Sequence, residues 1–204
     1  MSGILTEIKA KEILGPHHDA LYTCVVNGWA RWVKDGMGLV SKPDSSFRSQ
    51  MIQQCMVDEA RQRFGSVPGV RIFERKKEDD EPSAGRFLLS FDGRALVQFK
   101  KFDPDFKTRN YPTTAAIRFD SQETLPEVPV GTRLSVGYQL DSTASILAAV
   151  AVVCQGLYAP NWWYELEDAD RRESILPPSV LLRPAQVRAK EQMDFVFDQS
   201  KKKS

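Results

Sequence analysis

Apolar positions recur at spacings of three and four after Gly15-Pro16, at Leu21, Val25, Trp29 and Trp32. That period predicts a helix from Gly15 to about Lys34, stopped by Gly36 and Gly38. A second helical period covers F-R-S-Q-M-I-Q-Q-C-M-V-D-E-A-R-Q-R-F, with Ser45 or Ser46 as its cap and Gly65 at its end. The pattern then changes. V-R-I-F-E-R reads as a short strand, and the mixed charges of K-K-E-D-D-E-P-S-A-G read as a solvated connection. F-L-L-S-F-D-G-R-A-L-V-Q-F-K-K, Phe87 to Lys101, reads as a hairpin turning at Asp92-Gly93 in a type I′ geometry. A two-residue turn would set Leu88 against Val97, Leu89 against Leu96 and Phe87 against Gln98. Side chains of both parities are apolar, so the hairpin is expected to be covered on both faces, with Lys100 and Lys101 emerging on opposite sides.

Beyond the hairpin, T-T-A-A-I-R-F-D-S-Q predicts one or two helical turns with a threonine cap, and T-L-P-E-V-P-V-G a proline-rich loop. T-R-L-S-V-G-Y-Q-L alternates as a strand, Asp141 to Ser145 turns the chain, Ile146 to Cys154 is the most apolar strand and N-W-W-Y-E-L the last. The elements define an α+β fold: two N-terminal helices packed on a mostly antiparallel sheet of about six strands, with one short inserted helix and a C-terminal extension. Residues 1–14 are expected as an N-terminal arm, 15–166 as the single domain, and 167–204 as an extension, partly helical or disordered. In that extension Phe195, Val196 and Phe197 would form an apolar anchor for a partner.

With 204 residues, 42% hydrophobic and 27% charged, the chain is long enough to bury a core. A formal net charge of +1 confines any basic surface to a local patch; nucleic acid is neither indicated nor excluded. Cys24, Cys55 and Cys154 lie far apart in apolar runs without a C-x-x-C pair, which argues for buried thiols rather than a zinc site or disulfide framework. The beginning lacks a signal-peptide core and no apolar run is long enough for a bilayer, so a soluble cytoplasmic protein is expected, with no membrane contact.

Glu59 is the first irregularity. It falls within the stripe of Ile52, Cys55, Met56 and Ala60, which turns a carboxylate toward the core. Burial demands a counter-charge, either Arg63 four residues on or a basic group on the sheet. Paired in that way Glu59 is structural; otherwise it is an active-site acid. A restriction-endonuclease-like nuclease would use Glu59, Asp92 and Gln98-x-Lys100 around a metal. Asp92 and Gln98 would stand on the order of 13 Å apart along extended strands, too far to share one ion. With no phosphate cradle, no G-x-S-x-G elbow and only His17 and His18 as histidines, no cofactor or metal is expected. Any catalysis would rest on Glu59, Lys100, Lys101, Arg118 and Tyr138, the cations stabilising a phosphorane and Tyr138 or Glu59 moving protons.

Several motifs together carry a resemblance: V-D-E-A at the end of the second helix, the Phe87–Lys101 hairpin, R-F-D-S-Q, L-P-x-x-P, L-S-V-G-Y-Q-L-D, V-A-V-V and W-Y-E-L. In these the chain resembles an uncharacterised family of bacterial proteins, over roughly its middle two-thirds. In that family Arg commonly stands at the position of Gln98, which implies that this position is not a metal ligand, while the two lysines match Lys100 and Lys101. The family's genes are associated with regulators that join a helix-turn-helix to a zinc-peptidase-like domain. The resemblance therefore implies an effector of a toxin-antitoxin-like or phage-defence module, held by a partner such as an antitoxin or regulator. The alternatives are a non-enzymatic adaptor or inhibitor from a mobile element, and the metal-dependent nuclease.

Overall fold

The computed structural model describes residues 4–36, 44–74, 87–108, 114–123 and 130–167. The K-K-E-D-D-E-P-S-A-G connection, most of the proline-rich loop and the extension from residue 168 lie outside the described residues. Six strands form one sheet in chain order: β1 Val70–Glu74, β2 Phe87–Phe91, β3 Ala95–Lys101, β4 Thr132–Leu140, β5 Leu147–Cys154 and β6 Trp162–Glu165. Every neighbouring pair is antiparallel except β3 and β4, which run parallel. Parallel neighbours need a crossover. Here the intervening chain carries the short helix α4, Thr114–Asp120. The α+β architecture read from the sequence is therefore the observed one.

The N-terminal helices lie on one face of the sheet. Helix α1 spans Glu7–Leu14, capped by the Thr6 hydroxyl. A 3-10 turn at Gly15–His17 leads into α2, His18–Arg31, which ends in a π-turn at Trp32–Gly36. Residues 1–14, expected as an arm, include this extra helix, and Leu5, Ala10, Ile13 and Leu14 join the main core. The sequence reading missed it because its apolar positions are few and irregular. Pro16 falls inside the 3-10 turn between α1 and α2, and the second helix starts later than expected. Helix α3, Ser45–Phe64, is capped by Asp44, whose carboxylate accepts the Phe47 N–H at 2.7 Å, rather than by either serine. Ile52, Met56, Val57, Ala60 and Phe64 are its buried residues. Gly28 lets α2 approach α3 closely, since a β-carbon there would stand 2.5 Å from Met56 Cγ.

The hairpin turns as expected but in a different register. Asp92 and Gly93 have φ of 51° and 66°, both positive as a type I′ turn requires, and Arg94 N–H donates to Phe91 O at 2.9 Å. Arg94 is an extra residue between turn and ladder, so Leu89 pairs with Val97 and Ser90 with Leu96. This one-residue shift decides which side chains share a face. Leu89, Phe91, Ala95, Val97 and Phe99 face the helices, together with Leu134, Val136, Tyr138, Val150 and Val152. Leu88, Ser90, Leu96 and Gln98 face the opposite side. That second face is covered in two places. Phe119 of α4 packs with Leu88 and Phe73, and Phe102 and Phe106 pack on Ala151 and Val153. Among the described residues no helix is long and apolar enough to cross a membrane.

Candidate functional site

The inward carboxylate of Glu59 is held by its own layer. Its Oε2 accepts from Asn27 Nδ2 at 3.1 Å and lies 3.7 Å from Arg63 Nε, the partner expected four residues on. Asn27 comes from α2, so the carboxylate ties the two helices together. Both of these partners belong to the helical layer rather than to the sheet.

Lys101 lies in register with Tyr138 and Lys100 with Gly137. By the alternation of β3, Lys101 takes the helix-side parity of Val97 and Phe99, and Lys100 the opposite parity with Gln98. Tyr138 is 1% exposed, with its ring 6.2 Å from that of Trp29. Its hydroxyl makes no hydrogen bond of acceptable geometry, although Ser49 and Arg48 stand nearby. Burial pushes the phenol up to about 12, which leaves it a poor proton carrier near neutrality. Arg118 lies across the sheet on α4, half-exposed and 3.6 Å from Glu123, with its carbonyl accepting from Arg133 Nη1 at 2.7 Å. The five residues singled out for catalysis are thus divided between two faces of the sheet. They do not line one cleft.

The nuclease set is divided in the same way. Gln98 is buried and donates to Ser135 Oγ at 3.1 Å on the face away from Glu59, while Asp92 sits exposed at the turn. Among the described residues no group of three or more His, Cys, Asp or Glu side chains is placed to hold a metal ion. The cysteines are free. Burial raises the Cys24 thiol to about 12 and Cys154 to about 11, far from the thiolate a nucleophile needs.

Two features escaped the sequence reading. His18 Nε2 lies 3.0 Å from the Tyr164 hydroxyl, joining the start of α2 to β6, and Lys11 Nζ stands 4.7 Å from the centre of the Tyr164 ring. Desolvation lowers the His18 imidazole below its ordinary value, which favours the neutral ring, to which Tyr164 O–H can donate. These residues are 146 positions apart, and no local pattern links them. The other feature is an exposed aromatic corner. Trp163 is 44% exposed while stacking on Phe106 at 4.1 Å, and Leu157 and Tyr158 are exposed in the loop before β6.

The fold and these sites define an α+β protein with a mixed six-stranded sheet and one helical layer on its main core. No protein-family model matches the chain, and neither a curated protein nor a solved structure is significantly similar to it.

Proposed function

We propose that the chain is the effector of a bacterial toxin-antitoxin-like or phage-defence module, controlled by a partner protein that binds the β6 margin. The module rests on the sequence resemblance. The observation that supports a protein-binding margin is Trp163. It is an exposed aromatic side chain on a terminal strand of the sheet, and β6 has no strand on its outer side among the described residues. An open strand edge offers backbone donors and acceptors to an extended segment, and an aromatic residue beside it supplies an anchor.

The test is co-purification with the product of the neighbouring gene, comparing the wild-type chain with Trp163→Asp. Loss of roughly tenfold or more in affinity, in a variant whose circular dichroism shows the fold retained, supports the reading. Equal capture of both proteins removes β6 as the contact. A second reading, a non-enzymatic adaptor or inhibitor, is favoured by the separation of Glu59, Lys101 and Tyr138 from Lys100 and Arg118. Unimpaired bacterial growth on strong expression without the partner would select the adaptor over the effector.

A further inference from the structure

We propose that the cavity between the start of α1 and the β2–β3 turn binds the phosphate group of a small phosphorylated molecule. The cavity measures about 270 Å³, and its polar side chains are Thr6, Lys9, Arg94 and Thr132. None is a carboxylate, and each has hydrogen to donate. Ile4, Leu5 and Val130 supply an apolar rim. Small-molecule pockets usually span about 300–1,000 Å³, so this one suits a phosphate with a small appendage better than a dinucleotide.

Two cations, Lys9 and Arg94, line this cavity from opposite sides. Among the described residues neither Lys9 nor Arg94 lies within 4.0 Å of a carboxylate, and the cavity lining holds none. Two like charges facing one cavity repel each other until an anion stands between them. The Thr132 hydroxyl, on a residue 7% exposed, accepts the Leu5 N–H at 2.9 Å, and no described residue accepts its own hydrogen. The first turn of α1 adds to the same field. Thr6 satisfies the Lys9 N–H at 3.4 Å, the Glu7 and Ile8 N–H groups remain at the positive end of the helix, and the Glu7 carboxylate is neutralised by Lys11 at 2.6 Å. On the opposite wall Gly93 has φ of 66° and open space where a β-carbon would stand, so a ligand can approach the turn backbone.

The experiment is a titration of the full chain with pyrophosphate at constant ionic strength, followed by amide NMR shifts. Saturable shifts confined to residues 5–9, 93–94 and 131–132 are expected. Arg94→Gln and Lys9→Gln should each weaken binding by roughly tenfold, while Arg71→Gln on β1 leaves it unchanged. The proposal is overturned by non-saturating shifts, by shifts spread over the basic surface, or by equal affinity in the Arg94→Gln protein. A 5′-phosphorylated oligonucleotide that binds where pyrophosphate does not would overturn the assignment to a small molecule.

Discussion

The carbonyl oxygen of Lys100 occupies the space into which a β-carbon on Gly137 would project. The two residues are partners in the parallel register, and here the β3 backbone approaches β4 closely before Phe102 N–H donates to Tyr138 O at 2.8 Å. Only a residue without a side chain permits that approach, and just beyond it Phe102 and Phe106 pack on β5. Gly137→Ala should therefore cost about 3 kcal/mol in urea unfolding, at the upper end for an overpacked site. A loss below about 0.5 kcal/mol would mean that the two backbones do not approach so closely.

Glu59 is expected to behave as a structural tie. Glu59→Gln keeps an acceptor for Asn27 and should change stability by less than about 1 kcal/mol, whereas Glu59→Ala strands a half-buried amide and should cost about 1–2 kcal/mol. Urea unfolding of both proteins checks the difference. If the two substitutions are equally harmless to stability but both abolish the biological effect, the residue is an active-site acid instead.

Tyr138 links stability to alkaline pH. Its phenol ionises near 10.0 when unfolded and at about 12 in the fold, so the neutral form is the one the core prefers. The contribution is complete below pH 10 and is lost as pH rises through about 12, on the order of 2–3 kcal/mol. Tyr138→Phe should flatten the stability profile over that window. Near neutrality it should change stability by no more than about 1 kcal/mol, because the hydroxyl makes no hydrogen bond of acceptable geometry. Denaturant unfolding at a series of pH values measures both effects.

Local chemistry was legible in the sequence where a single residue type decides a conformation. The helical period of α3 placed Glu59 inward and offered Arg63 or a basic group on the sheet as its partner, of which the structure forms the Arg63 contact, and Asp92-Gly93 specified the type I′ turn. The hairpin register was not legible, because Arg94 enters the turn as one further residue and nothing in its side chain announces that. The β3–β4 parallel pair, the His18–Tyr164 contact and the Lys9–Arg94 cavity depend on segments distant in the chain. Chemical type and local period suggest Glu59, Lys100, Lys101, Arg118 and Tyr138, but neither records whether distant elements bring them to one face of the sheet.

Leu5 has its own consequence for how the molecule is made. Its N–H donates to Thr132 Oγ1 and its carbonyl accepts from Trp162 Nε1, partners 127 and 157 residues further along. Synthesis from the N-terminus makes Leu5 before either partner, so these two bonds can form only after Thr132 and Trp162 have been added. Docking of α1 by these bonds therefore pairs segments of long sequence separation, a kind of contact that closes late in folding.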